Sequence, residues 1–382
     1  MTVWIRTPLI VMLVALAGGI GSSAAGQRAV VSGAHDAPLT ATVPVDPRIT
    51  VGTLANGMRY YIRANTQPQN RVEIRLVVNA GSVLEDDDQR GLAHFVEHMA
   101  FNGTRNFPRQ DVIAFLQSTG MRFGAHINAN TSFDQTVYEL RIPTDSPAVI
   151  DRSLLILEDW ATGVSFEPAE IDKERGVILE EWRTGLGANA RILDAQLPVL
   201  LEDSRYAERL PIGTPEVIRT FPYERLKQFY TDWYRPDLMA VIVVGDFDPV
   251  AMETRIKARF GSIPPAAAAR PRPVYDVPDQ PGTRYTIATD PEATRTTVGI
   301  SSTMSARDQS TLGAYRQMTI ERTFAALLSA RLAEMAQKPG APFLAAQTNR
   351  GLFVQSAEVT TLTALVADGG AACGVGMIEG VG

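Results

Sequence analysis

The stretch His94-Phe95-Val96-Glu97-His98 sets two imidazoles four residues apart with a carboxylate beside the second. On an α-helix, residues i and i+4 stack on one face with Cβ atoms about 5–6 Å apart, so two rings at this spacing can reach one ion. Leu92, Phe95, Met99 and Phe101 interleave with the polar residues, Gly91 stands near the start, and Asn102-Gly103 is a stop signal. The pattern therefore predicts a short helix with a metal-binding face. The chain has only four histidines, His35, His94, His98 and His126, which makes a chance match uncommon. The plainer alternative is a pair of partly exposed imidazoles beside an ordinary helix carboxylate.

Two histidines do not complete a zinc site. A catalytic zinc takes three protein ligands, with His nitrogens at about 2.0–2.1 Å, and keeps a fourth position open to water. The order H-x-x-E-H stands beside H-E-x-x-H among zinc peptidase signatures. In either order the glutamate lies off the ligand face and takes a proton from a water whose pKa the ion lowers towards about 7. Glu97 is thus the expected general base, and its loss should leave the metal bound.

Periodicity supplies a candidate third ligand. Residues Pro168 to Thr184 read as a second helix: Pro168 suits the first turn, Glu170 and Asp172 favour the positive end, and Gly185 and Gly187 terminate it. Within it Glu174, Val177, Ile178 and Glu181 share one stripe. A charge on a buried stripe is costly unless it is paired or bound to metal. Glu180 lies off the stripe, which makes Glu181 the expected ligand. Glu174 is either a carboxylate that orients a ligating histidine or a salt-bridge partner of Lys173 or Arg175.

With GLAHFVEHMAFNGT at 91–104, GAHINANTSFDQTVYEL at 124–140 and ERGVILEEW at 174–182, the chain resembles the insulinase/pitrilysin family of inverted-motif zinc peptidases, the bacterial periplasmic members most of all. The resemblance runs from about Thr50 to Met304 and includes YRPDLMAVIVVGDFDP at 234–249. It implies one Zn2+ per chain on His94, His98 and Glu181, with Glu97 as catalytic base and Glu174 as supporting carboxylate. The activity it implies is an endopeptidase acting on short or unfolded peptides. His98 and Glu181 are 83 residues apart, a longer separation than the family's, and an insertion at Asn106 to Gln110 would absorb the difference. The segment Asn128-Ala129-Asn130-Thr131 matches the family's edge strand, where substrate backbone pairs by β-augmentation. Asn128 and Ala129 are accordingly the substrate-binding candidates, with turn stabilisation the alternative for Asn128 and Asn130. His126 receives no metal role and reads as a polar edge-strand histidine.

Residues 1–25 read as a secretory signal: Arg6 adds positive charge, Pro8 to Leu16 is apolar, and Ser23-Ala24-Ala25 offers small residues for cleavage. The apolar run is too short to span a bilayer comfortably, so a periplasmic or secreted protein with no stable membrane span is expected. Residues 26–47 form a linker. Residues 48–262 read as a catalytic α+β domain, a mixed and mostly antiparallel sheet flanked by helices. Its strands are Met58–Arg63, behind an Asn56-Gly57 turn, Val72–Asn79, Thr136–Ile142 and Met239–Val244, the last a continuous apolar run suited to a buried strand. Further helices are expected near Gln110–Thr119, Ser146–Thr162 and Tyr223–Trp233. Residues 263–283 hold Pro264, Pro265, Pro271, Pro273, Pro278 and Pro281, the composition of a semi-rigid linker.

Residues 284–368, strand-like at Thr286–Met304 and helical at Leu312–Gln337, resemble an incomplete second, non-catalytic repeat; 369–382 form an atypical Gly/Ala-rich tail. The single Cys373 excludes an intramolecular disulfide. A net charge of −6 gives no basic footprint for nucleic acid. In the family a second half closes a clamshell around the peptide, and this chain stops before one. The expectation is either a truncated chain or a natural short subunit completed by a C-terminal-half partner or a homodimer. Beside the endopeptidase reading stands a non-catalytic or partner-dependent peptide-binding subunit that retains the zinc site.

Overall fold

The computed structural model describes residues 37–267, 269–279 and 282–367. The expected signal at 1–25, the first part of the 26–47 linker and the tail at 369–382 with Cys373 lie outside the described residues. Asn56 and Gly57 turn the chain between β1 (Ile49–Thr53) and β2 (Arg59–Ala64), with Gly57 at φ +92°. The Asn56 amide donates to the carbonyls of Phe260 and Ile263 at 2.8 and 2.9 Å, so a local turn signal also ties down a distant helix end.

Next come β3 (Arg71–Val78), α1 (Leu92–Met99), α2 (Asp111–Ser118), β4 (Ile127–Thr131), β5 (Thr136–Pro143), α3 (Pro147–Thr162) and α4 (Pro168–Gly185). They are followed by α5 (Ala188–Leu200), α6 (Pro215–Thr220), α7 (Tyr223–Trp233), β6 (Met239–Gly245) and α8 (Pro249–Phe260). Six strands form one sheet in the order β1-β2-β6-β3-β5-β4, antiparallel throughout except where β6 runs parallel to β2. This is the α+β architecture the alternating pattern predicts.

Period-two alternation gives the sheet two unlike faces. Ile62, Ile74, Leu76, Tyr138, Leu140, Val241 and Val243 are all buried on one face, with α3 against β3 and β5 and α8 against β2. The opposite face carries Glu73 and Arg75 across from Arg141 and Glu139, joined by four ion pairs of 2.5–3.0 Å. The apolar run of β6 is buried on one face only, and Val244 is 38% exposed on the other. An entirely apolar strand is therefore central in the sheet without being covered on both sides.

A second, antiparallel sheet has the order β7 (Thr296–Ser305), β9 (Ala357–Val366), β8 (Ala345–Val354), and α9 (Leu312–Ala336) packs on β8. Its own core is small, formed by Leu332, Phe343, Ala364 and Val366. The strand expected over 286–304 begins only at Thr296, because Arg191 on α5 draws Asp290 and Glu292 to itself at 2.5 and 2.6 Å and fixes a turn there. The β8–β9 turn reaches the first core through Val354 and Ala357, and the Gln355 N–H donates to Asp134 at 2.7 Å. Among the described residues no helix is long and apolar enough to cross a membrane.

Helix α1 is only eight residues long, too short to hold its shape alone in water. Its surroundings supply what it lacks. Gly91 precedes it at φ +102°, and a Cβ there would meet Ile218 Cδ1 at 2.7 Å and Gly213 Cα at 3.0 Å, so the close approach requires glycine. The buried Glu85 carboxylate accepts the Gly91 and Ala93 N–H groups at 3.0 and 2.8 Å, satisfying donors that a helix start leaves free. At the other end the Trp160 indole N–H donates to the Ala100 carbonyl at 2.8 Å. The loop beyond is held by buried Asp159, which accepts Thr104 Oγ1, Asn106 N and Asn106 Nδ2 at 2.7–2.8 Å.

The Trp160 ring also stacks on Tyr138 at 5.0 Å, so packing and hydrogen bonding can be separated by substitution. Trp160→Ala is expected to cost about 3–5 kcal/mol and Trp160→Phe about 1–2 kcal/mol. Urea denaturation measures both, and a Phe variant as stable as the parent would remove the indole clamp from the account.

Candidate metal centre

Helix α1 presents His94 and His98 on one face, with Nε2 atoms 3.2 Å apart and rings at 80° to each other. Glu181 on α4 brings Oε2 to 3.4 Å from His98 Nε2 and 3.9 Å from His94 Nε2. Donors about 2.0–2.1 Å from a tetrahedral zinc lie about 3.3–3.4 Å from one another. The observed triangle is close to one face of that tetrahedron, and its two nitrogens and one oxygen are ligand types zinc accepts. The three side chains form a group able to hold a metal ion.

Glu174, two turns before Glu181, sets Oε1 2.7 Å from His98 Nδ1 and accepts the Asn102 amide on Oε2 at 2.7 Å. Lys173 and Arg175, its alternative partners, bond Glu170 and Asp172 instead. The stripe that pointed to these carboxylates is only half buried: Ile178 is fully covered, while Val177 is 50% exposed. Helix α4 packs against α1, and the Val177 side of the stripe faces solvent. Glu180, off the stripe, pairs with Arg183 at 2.5 Å.

Burial pushes His94 down to about 3, and the neighbouring His98 adds to the effect. Burial opposes charge on His98 as well, but its bonds to Glu174 and Glu181 overcome that and raise it to about 10. Burial opposes the charge of Glu181 too, yet the hydrogen bond and the positive charge of His98 hold its carboxyl below its ordinary value. Glu97, 8% exposed, is pushed up to about 7 by burial, against the pull of His98 and a hydrogen bond from Thr131. The centre thus holds one buried carboxylate of raised basicity, Glu97, beside a pair of carboxylates, Glu174 and Glu181, that favours positive charge at His98.

Strand β4 lies at the end of the sheet, where its ladder is with β5, Asn128 opposite Glu139 and Ala129 opposite Tyr138, and only its first residue, Ile127, also bridges Phe123. Both candidate positions are half-buried on this edge strand. The turn that follows is built by Ser132 and Gln135, so Asn128 and Asn130 belong to the strand and not to the turn. His126 sits in the turn before β4, where Nδ1 accepts the Arg122 N–H at 3.2 Å. Sequence reasoning missed Glu85 and Trp160, and it gave Asn102 and Thr131 no role at the centre. Of these Thr131 carried a signal, because Ile127, Ala129 and Thr131 alternate onto one face and a polar residue on an inward face needs a partner.

The family model for insulinase (peptidase family M16) matches residues 60–194, and that for the peptidase M16 inactive domain matches 220–359. The "Zinc protease PQQL-like" of Arabidopsis thaliana is 38% identical over 304 residues, which is 79% of this chain and 32% of the relative. The "Probable zinc protease PqqL" of Haemophilus influenzae is 36% identical over 291 residues, 76% of this chain and 31% of the relative. The crystal structure of the first half of the periplasmic protease PqqL from Escherichia coli superposes with a TM-score of 0.80 at 31% identity, covering 86% of this chain and 70% of that one. The chain belongs to the insulinase family, peptidase family M16. It spans about a third of the length of these two curated relatives.

Because Glu174 fixes the ring of His98, Glu174→Gln is expected to weaken zinc binding by about 10–100-fold. Competition with a chromophoric chelator measures the change, and unaltered affinity would separate Glu174 from the metal centre.

Proposed function

We propose that this protein is a zinc-dependent endopeptidase that hydrolyses short or unfolded peptides, with His94, His98 and Glu181 as metal ligands and Glu97 as general base. The observation that carries this reading is the His94/His98/Glu181 triangle beside a buried carboxylate. The names of the PqqL relatives point to zinc, and the ligand types agree. A bound zinc ion supplies Lewis acidity, polarising a water and the scissile carbonyl.

The chain's own residues do the rest. Glu174 holds His98 in one orientation, with Nε2 turned to the ligand triangle. Glu97, kept basic by burial, takes the proton from the attacking water and returns it to the leaving amine. Asn128 and Ala129, on an edge with unpaired backbone groups, receive an extended substrate by main-chain pairing, which makes few demands on its side chains. Residues 48–262 form the catalytic domain and 284–368 a second, non-catalytic one, joined by the proline-rich 263–283 segment. A periplasmic location follows the signal-like residues 1–25 and the periplasmic relative from Escherichia coli.

A second reading, a partner-dependent peptide-binding subunit, draws on α9. Ile320, Phe324 and Leu327 stand 49%, 64% and 67% exposed there, an apolar stripe suited to a further C-terminal-half segment. The two readings separate on the same samples. Glu97→Gln is expected to retain one zinc per chain and to lose about 10²–10⁴-fold in kcat on an unfolded peptide. Parent protein that binds zinc and peptide without cleaving would favour the second reading, and parent protein with no zinc above background would sink the first.

A further inference from the structure

The hydrogen-bond partner of Glu97 comes from the edge strand. Thr131 Oγ1, 9% exposed, donates to Glu97 Oε2 at 2.5 Å, a short charge-assisted bond. Directly across the β4–β5 ladder stands Thr136, whose Oγ1 lies 3.4 Å from that of Thr131 and donates its own proton to the Ala80 carbonyl at 3.0 Å. With the Thr136 proton engaged, Thr131 has a fixed neighbour on one side and directs its proton to the carboxylate on the other. A glutamate on a helix has three side-chain torsions to settle. A donor on one oxygen settles them and leaves Oε1 for proton transfer.

We propose that Thr131 is a positioning residue that holds the Glu97 carboxylate in its working orientation and links it to peptide docking on β4. This rests on the peptidase reading of the site. Strand β4 is five residues long and carries Asn128, Ala129 and Thr131 on one continuous backbone. Main-chain hydrogen bonds made along its free edge stiffen the same backbone that carries the Thr131 hydroxyl. A docked peptide and an aligned base are then two consequences of one ordered strand.

The test uses the full zinc-loaded chain and four substitutions. Thr131→Val keeps size and β-branching without the donor, Thr131→Ser keeps the donor, Thr131→Ala covers a Val variant that fails to fold, and Glu97→Gln is the control. Zinc content, kcat and KM on an unfolded peptide, and the infrared carboxyl band of Glu97, identified by its loss in Glu97→Gln, are read together. Val is expected to lower kcat about tenfold or more with KM within about twofold, zinc at one per chain and the band moved; Ser should stay within about threefold with the band in place. Equal losses in Val and Ser, or parent kcat and an unmoved band in Val, would overturn the proposal. Cleavage by Glu97→Gln at the parent rate, or a parent that does not cleave, would count against the peptidase reading instead. In that case the band decides for Thr131 alone: a shift in Val but not in Ser supports the positioning role, and no shift refutes it.

Discussion

Everything at the candidate metal centre depends on an eight-residue helix being held at both ends by side chains from elsewhere. Leu92, Ala93, Phe95, Val96 and Met99 are all fully buried, so α1 is a core element that happens to carry three polar residues. Burial raises the Glu85 carboxyl to about 8, against the pull of the Ala93 and Gly91 N–H groups and of the Arg209 and Arg205 guanidinium groups. Arg209, 1% exposed, donates Nε to the Glu85 carbonyl at 3.1 Å and pairs with Asp87. A buried acid at a helix start is tolerable here because N–H donors and the positive end of the helix face it.

Helix α4, which carries the candidate ligand Glu181, is registered against α1 by contacts among three residues. Phe95 of α1 meets Phe221 edge-on at 4.9 Å, and the Arg175 guanidinium of α4 lies over the Phe221 ring, 3.8 Å from its centroid. The same guanidinium donates to the carbonyls of Ile218 and Phe221 at 2.7 and 2.8 Å, closing the end of α6. Arg175 is next to Glu174 in sequence, so fixing the guanidinium also fixes the turn that aims Glu174 at His98. The arrangement of the candidate ligands is in this way set by packing and cation–π contact. The sheet contributes from the far side, where β4 brings Thr131 to Glu97 and β5 brings Tyr138 under Trp160.

Much of this was legible in the chain. The i, i+4 spacing of His94 and His98 and the Glu174-to-Glu181 stripe are local patterns, and helical geometry turns them into faces without knowledge of the rest. Turn chemistry at Asn56-Gly57 and alternation in β3 and β5 belong to the same class. The strands β8 and β9 and the helices α5 and α8 were not read, because their patterns are weak alone and their stability comes from partners distant in sequence. The segment before Thr296 looked like strand and is turn, since Arg191, about a hundred residues earlier, captures its two carboxylates.

The sequence by itself determined which residues can bind a cation and on which helices they lie, because periodicity within one helix is a property of local backbone geometry. It also determined that β4 carries a polar edge. Only the tertiary structure decided that Glu181 stands 3.4 Å from His98, that Glu174 bonds Nδ1 of that ring, and that Thr131 holds Glu97. Those distances join residues separated by 34 to 83 positions. No local rule reaches that far; they follow from how a six-stranded sheet and its helices close over one shared core.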